Sequence, residues 1–301
     1  MKKFLALFLL LLVCSPLWAQ EEEAPEPAVA TPSAELQVRG STWPGGILFV
    51  SLDVPEGTKG TWKWAGRSGP LTEAPYGLRT GLAVPLDASA GGTATLRVSL
   101  EYADGSTQDL ERKIRVDKKW RPVQYLSMSS SNVAKYSDPQ ADKEEVLVFD
   151  ALEELQAGLR WKGNFDDPSP APRSSPFGVR RIRNGKTAGF HRGLDYAGSW
   201  GSPIYAPAGG KVTLVGPNFT LLGNCVIINH GEGLTGLYLH MSSINVKQGQ
   251  TVKRGQVIGK IGNTGASTGP HLHYATYFHG VPVDPDLLAS FPKEWAPELF
   301  K

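Results

Sequence analysis

Cysteine is scarce in this chain of 301 residues, which contains only Cys14 and Cys225. Cys14 lies in a predicted signal peptide, so the processed chain would keep one cysteine and could form no internal disulfide. The same scarcity leaves no competing thiolate site for a metal ion. Cys225 stands in an apolar, β-like run, and this position favours a buried, inert thiol over a nucleophile.

An imbalance of charge is also lacking. The chain has 31 basic and 29 acidic residues, and removal of Lys2 and Lys3 with the signal peptide would leave 29 of each. No general affinity for nucleic acid or for anionic membranes follows from a neutral chain. The sequence has no His-Glu-x-x-His motif, which excludes a metal site that takes its glutamate base from that motif.

Residues 1–19 have the pattern of a secretory signal, with a basic start, an apolar stretch over 4–13 and a cleavage region near Ala19. The apolar stretch is too short for a spanning helix, so we expect export to the periplasm, cell wall or extracellular space, without a membrane span after cleavage. Leu17 replaces a preferred small residue, which leaves a retained signal open. Lipidation at Cys14 also stays open, although Val13 is bulky for a lipoprotein motif. Residues 20–34 are acidic and rich in proline, which predicts a disordered linker.

The rest of the chain is predicted to be mainly β. Residues 35–118 show short alternating strands typical of an immunoglobulin-like β-sandwich, in which we expect Trp62 and Trp64 to pack rather than to stack on sugars. A hairpin turn is predicted at Ala103-Asp-Gly-Ser. Residues 119–158 form a connector with one helix near Asp142. Residues 159–301 form a second, strand-rich and glycine-dense domain.

All six histidines fall in this second domain, at 191, 230, 240, 271, 273 and 279. His271 and His273 flank Leu272, and in a strand they would point to the same face. Such a pair indicates either a shared divalent metal or a chance exposed pair. His191 and Asp195 also share a face, and Gly193 between them favours an extended backbone. This second pair suits zinc, although a surface hydrogen bond between the two side chains would also explain it.

Taken together, the two pairs offer three ligands and one open position, which is the composition of a catalytic zinc site with one Zn²⁺ per chain. The spacing leaves open whether His271 or His273 is the ligand. The other member of the pair and His240 would then serve as general base and as stabiliser of a tetrahedral oxyanion.

The sequence also predicts the local surroundings of His240, His230 and His279. His240 is expected to share one strand face with Tyr238, with three apolar residues opposite (Leu237, Leu239 and Met241). His230 is predicted to be a structural hydrogen-bonding residue at a turn, and His279 a loop residue.

Five motifs carry a resemblance to a known family: Ser174-Ser-Pro-Phe-Gly-Val-Arg-Arg-Ile-Arg-Asn-Gly, His191-to-Asp195, Gly223-Asn-Cys-Val-Ile-Ile-Asn-His-Gly, Tyr238-Leu-His240, and Gly262 through His273. In this order they resemble the lysostaphin- and LytM-like zinc endopeptidases, which cut peptide cross-links in bacterial peptidoglycan. The resemblance implies that residues 159–301 form an antiparallel β-sheet metallopeptidase domain. It further implies that His191, Asp195 and His273 bind Zn²⁺ and that His240 and His271 are catalytic.

The implied function is an exported zinc metalloendopeptidase that hydrolyses peptidoglycan stem-peptide links or cross-bridges through a metal-activated water. The alternative is a catalytically silent LytM-like activator or binding protein of the cell wall. Direct D,D-cross-links and glycine bridges are both cut within the family, and we favour the former. Residues 246–261 also resemble a biotinyl or lipoyl carrier hairpin, but they lack the modified-lysine motif. The sequence does not predict the oligomeric state.

Overall fold

The computed structural model describes residues 33–291 and Ala296, so the predicted signal peptide and nearly all of the predicted linker lie outside the described residues. The strands and helices in chain order are β1 (Gln37–Gly40), β2 (Ile47–Leu52), β3 (Lys59–Trp64), β4 (Arg67–Pro70), β5 (Thr72–Ala74), β6 (Gly77–Ala83), β7 (Thr93–Glu101), β8 (Thr107–Arg115), β9 (Val123–Leu126), α1 (Ser130–Ala134), a 3-10 turn (Lys135–Ser137), α2 (Pro139–Glu153), β10 (Arg173–Ser175), β11 (Arg180–Arg183), β12 (Lys186–Phe190), β13 (Leu194–Ala197), β14 (Pro203–Tyr205), β15 (Gly210–Phe219), β16 (Gly223–Gly231), β17 (Leu234–Ile244), β18 (Thr251–Val252), β19 (Val257–Ile261), β20 (His271–Phe278), β21 (Val281–Val283) and a 3-10 helix (Pro285–Ser290). The prediction of a mainly β protein is confirmed.

The N-terminal part consists of two four-stranded antiparallel sheets, with strand orders β1-β2-β6-β5 and β4-β3-β7-β8. Alternate residues of β3 point inward, so Trp62 and Trp64 are buried in the shared core and the prediction of packing is confirmed. The hairpin at residues 103–106 is also confirmed, since Glu101 pairs with Thr107 across β7 and β8. An immunoglobulin-type topology remains a prediction.

The connector has more structure than its sequence pattern indicated. The predicted helix is present as α2, and it begins at Pro139 because the Asp138 side chain accepts a hydrogen bond from the Gln140 N–H. The sequence reasoning missed α1 and strand β9. Strand β9 pairs in parallel with β11, and its four residues carry no local signal for a partner more than fifty residues away.

The C-terminal part is built on a ten-stranded sheet, whose main path runs β10-β13-β20-β17-β16-β15-β18, with β14, β19 and β21 attached beside it. All of its strand pairs are antiparallel, as predicted. Helix α2 covers one face through Val148 and Leu152, which pack in one cluster with Leu237 and Cys225. Cys225 is fully buried, and burial raises the pKa of its thiol to about 12, in agreement with an inert role.

The N-terminal sheet that contains β2 packs against the ten-stranded sheet. A shared apolar cluster includes Ile47 and Phe49 from β2 and Phe278 from β20. Beside it, the buried Arg79 guanidinium donates two hydrogen bonds of 2.8 Å to the buried carboxylate of Glu232. This paired geometry satisfies both charges where water is excluded. Within residues 33–291, no helix has the length and apolar character needed to cross a membrane.

Candidate metal centre

Two adjacent strands bring the predicted ligands together. Asp195 in β13 lies directly opposite His273 in β20, and His191 stands just before β13. Gly193 permits this approach, because a Cβ there would lie 2.4 Å from the Tyr274 carbonyl oxygen and 2.9 Å from the His273 ring. Antiparallel pairing therefore joins two motifs that are almost eighty residues apart in the chain.

The three predicted ligands converge through one atom each. His191 Nε2 lies 3.0 Å from Asp195 Oδ1 and 3.0 Å from His273 Nδ1, and His273 Nδ1 lies 2.8 Å from Asp195 Oδ1. One ion with bonds of about 2.0–2.1 Å can contact all three atoms at these separations. Two imidazole nitrogens and one carboxylate oxygen are also a donor set that suits zinc. The residues therefore fit the metal.

Hydrogen bonds outside this group orient the ligands. His191 Nδ1 lies 2.8 Å from the Pro176 carbonyl oxygen, which can only accept, so Nδ1 carries the proton and the Nε2 lone pair is free. Arg181 Nη2 donates to Asp195 Oδ2 at 2.6 Å, which leaves Oδ1 to face the histidines. Such partners fix the tautomer and the direction of metal ligands.

The protonation states of His273 and Asp195 suit the binding of a cation. Burial lowers the pKa of His273 to about 4, so its ring is neutral near pH 7. Burial also disfavours the charged form of Asp195, but the adjacent side chains of His191 and His273 outweigh it and hold the pKa of the carboxyl below its usual range. A neutral imidazole and an ionised carboxylate are the forms that bind metal.

His240 and His271 stand beside the three ligands. Their ring centroids lie 4.8 Å apart, and His271 Nε2 lies 3.9 Å from Asp195 Oδ1. Each ring binds a backbone carbonyl oxygen through Nδ1 at 2.8 Å, His240 to Thr264 and His271 to Gly269. Both Nε2 atoms therefore keep a free lone pair that can accept a proton.

The backbone of His240 corrects one sequence-based expectation. His240 has φ of +62°, a left-handed conformation that is costly outside glycine, and its N–H donates to the Leu222 carbonyl at 2.9 Å. The strand alternation is broken at this point. Met241 therefore packs in the cluster of Tyr238, and the prediction that it lies opposite Tyr238, with Leu237 and Leu239, is wrong.

The other two histidines lie outside this group. His230 is fully buried in β16, where Nδ1–H donates to the Gly209 carbonyl at 2.7 Å. His279 occupies the turn between β20 and β21, and its ring lies 5.0 Å from that of Trp62. The structural hydrogen-bonding interpretation of His230 is confirmed, but its predicted place at a turn is wrong, because it lies within strand β16. The position of His279 between two strands is confirmed.

The burial of His230 predicts a pH-dependent stability. Burial lowers the pKa of His230 from 6.5 to about 4, so the unfolded chain takes up the proton first as the pH falls. Stability from the neutral ring is present above pH 6.5 and is lost down to about pH 4, by at most about 3 kcal/mol. Urea unfolding of His230→Gln between pH 4 and 7 should show a weaker pH dependence than the parent. An unchanged pH dependence would contradict a buried neutral ring.

Asp195, His240, His271 and His273 line one open groove, while His191 lies buried behind them. Sequence reasoning missed the other walls of this groove, which include Gln124 and Leu126 of the connector and Arg181 and Arg183 of β11. The side chain of Asn132, also in the connector, donates a hydrogen bond of 2.7 Å to the carbonyl oxygen of Ser267, which lines the same groove. The arginines stood inside a recognised motif, but the sequence carried no sign that the connector reaches the groove.

Comparison with known proteins places this groove in context. Residues 189–285 match the family model described as Peptidase family M23. The chain is 44% identical over 129 residues to the DD-carboxypeptidase/endopeptidase Mpg of Neisseria meningitidis, covering 42% of this chain and 30% of Mpg. It is 46% identical over 112 residues to the peptidoglycan DD-endopeptidase ShyA of Vibrio cholerae, covering 37% of this chain and 26% of ShyA.

A crystal structure from Pseudomonas aeruginosa, assigned to peptidase M23, is similar over a larger share of the chain. It superposes with a TM-score of 0.61 at 28% identity and covers 83% of this chain and 96% of the other. The chain spans about 30% of the length of Mpg and 26% of that of ShyA. The family match contains all five clustered residues, from His191 to His273. The chain therefore contains a peptidase family M23 domain.

Proposed function

We propose that this protein is an exported zinc metalloendopeptidase that hydrolyses peptide cross-links of bacterial peptidoglycan. The observation that carries the proposal is the convergence of His191, Asp195 and His273 through three atoms within 3.0 Å of one another, with His240 and His271 beside them. The name of ShyA, a peptidoglycan DD-endopeptidase, supports the substrate class.

In this proposal, His191 Nε2, Asp195 Oδ1 and His273 Nδ1 would hold one Zn²⁺ per chain. A bound zinc ion would polarise the scissile carbonyl and activate a water molecule for attack. Three protein ligands leave coordination positions open for these tasks, whereas a structural zinc site has four protein ligands. Arg181 holds the second oxygen of Asp195, which keeps the carboxylate directed towards the histidines.

The proton chemistry falls to His240 and His271. Burial lowers the pKa of His240 to about 3, and the two neighbouring imidazoles act in the same direction, so the ring is neutral at the start of the reaction. Each histidine can take up a proton at Nε2 and then, as an imidazolium, donate from the same atom to the oxyanion or to the leaving amine. Hydrogen bonds between the two Nδ1 atoms and the Thr264 and Gly269 carbonyls hold each imidazole ring in one orientation.

The proposed site of action is the periplasm or cell wall, in line with the predicted signal over residues 1–19. The DD-endopeptidase names of the relatives favour a cut at direct D,D-cross-links over glycine bridges. Peptidoglycan stem peptides are the proposed partner, and no nucleic-acid partner is proposed for a chain of balanced charge.

Two alternatives receive less support. A silent activator or binding protein would not need all five side chains, yet all five are present and grouped. A biotinyl or lipoyl carrier would need an exposed hairpin with a modified lysine. Strands β18 and β19 in that region pair instead with β15, β14 and β17 of the sheet that carries the histidines.

The proposal is tested by digesting two defined peptidoglycans, one with D,D-cross-links and one with glycine bridges. The fragments are identified from their masses by mass spectrometry. We expect about one zinc per chain and conversion of D,D-linked dimers to monomers. Cleavage of glycine bridges alone would show that the substrate preference is wrong. Stoichiometric zinc without cleavage of either substrate would overturn the hydrolase and favour the activator.

A further inference from the structure

The connector supplies part of the wall of the metal centre. Strand β9 runs parallel to β11, with Gln124 opposite Arg181 and Leu126 opposite Arg183. These four side chains line the groove. Tyr125 points to the other side of the strand and is 76% exposed. The connector therefore presents one face, centred on Gln124, to the site.

The amide oxygen of Gln124 accepts two hydrogen bonds. It accepts a hydrogen bond from Arg181 Nε at 2.9 Å and another from Ser175 Oγ at 3.1 Å. Arg181 Nη2 in turn lies 3.3 Å from Ser175 Oγ. One side chain from the connector thus fixes the positions of two residues of the C-terminal part.

Arg181 and Ser175 each also contact a proposed metal ligand. Arg181 Nη2 donates to Asp195 Oδ2 at 2.6 Å. Ser175 Oγ lies 3.3 Å from His191 Nδ1, on the same side of the ring as the Pro176 carbonyl. Gln124 is therefore one residue removed from two ligands, one through a cation and one through a hydroxyl group.

A flexible arginine needs such a support. Its side chain has several rotatable bonds, and the guanidinium directs the Asp195 carboxylate only while its own plane is held. The Gln124 amide oxygen, which accepts a hydrogen bond from Nε, gives the guanidinium a second contact that helps to hold its plane. Without it, Arg181 keeps its charge near Asp195 but loses one of the contacts that set its orientation.

We propose that Gln124 is a positioning residue for the metal ligands, and that it acts through Arg181 and Ser175. This inference rests on the proposed metal site. It makes the connector, which lies outside the family match at residues 189–285, a working part of the catalytic centre. Docking of β9 and metal affinity are then coupled properties of the same chain.

The test is metal affinity, measured on the full chain by competition with a chromogenic zinc chelator. Gln124→Met keeps the length of the side chain and removes the acceptor, and we expect zinc to bind about 10-fold more weakly, as for other losses of outer partners of metal ligands. Gln124→Glu restores an acceptor to both donors and should return the affinity close to that of the parent. Tyr125→Met, on the opposite face of the same strand, is the matched control and should bind as the parent does.

Two further measurements separate positioning from a general loss of structure. The absorption spectrum of bound Co²⁺ reports ligand geometry, and it should change in Gln124→Met but not in Tyr125→Met. In a double-mutant cycle with Arg181→Met, the two losses of zinc affinity should be far from additive, because both act on the same carboxylate. If Gln124→Met does not fold, Gln124→Asn takes its place, since its shorter side chain withdraws the acceptor from both donors.

The outcomes are distinct. Parental zinc affinity and an unchanged Co²⁺ spectrum in Gln124→Met, or additive losses in the cycle, would overturn the role of Gln124 and leave the proposed function standing. Failure of the parent chain to bind about one zinc would instead remove the proposed metal site itself.

Discussion

Replacement of Asp195 with alanine should abolish both zinc binding and peptidoglycan cleavage. The change removes one of the three ligand atoms. It also removes the carboxylate that accepts a hydrogen bond from Arg181 Nη2 at 2.6 Å, so the guanidinium keeps its positive charge beside the site without this counter-charge. A fixed cation at this distance repels a metal ion in a partly buried site. We expect zinc content to fall from about one per chain to near zero, and cleavage to fall with it. Elemental analysis and muropeptide release measure the two effects.

The matched control for this change is Asp286→Ala. Asp286 is half-exposed and pairs with Arg173 on the surface, away from the groove, so zinc content and cleavage should match those of the parent. Circular dichroism of Asp195→Ala should still show a β-rich chain, because its backbone pairing with His273 does not depend on the side chain. Stoichiometric zinc in folded Asp195→Ala would refute the ligand assignment.

Removal of the His240 imidazole should have the opposite signature, with zinc retained and cleavage lost. The His240 ring centroid lies 6.4 Å from that of His273, and His240 is not one of the three converging ligands. Loss of a general acid or base typically lowers the rate by about 10² to 10⁴. Zinc stoichiometry and the initial rate of cleavage, measured on the same sample, separate the two functions.

The choice of substitution matters because of the backbone at this position. With φ of +62°, alanine at 240 is strained, whereas asparagine tolerates the left-handed region and can still donate to the Thr264 carbonyl. His240→Asn is therefore the sharper variant. His279→Asn is its control, because His279 also has positive φ (48°) and lies outside the groove. Parental cleavage by His240→Asn would show that its proposed catalytic role is wrong.

Much of the site could be predicted because its parts are local. The i, i+2 spacing of His271 and His273 places both on one face of any strand, and Leu272 is fully buried on the other. Alternation also predicted the inward packing of Trp62 and Trp64. Alternation failed at Met241, because His240 leaves the regular strand conformation and its N–H donates to the Leu222 carbonyl in a distant turn.

The sequence by itself determined the mainly β character, the hairpin at residues 103–106, the connector helix and the five residues proposed for the site, since each depends on spacing or on residue type within a short segment. Only the tertiary structure decided that β9 pairs with β11, that Gln124 supports Arg181, and that His240 leaves the regular strand. These features arise from contacts between segments remote in sequence. The physical reason is that hydrogen bonding between distant strands is set by the packing of the whole sheet, and no periodicity within either strand encodes its partner.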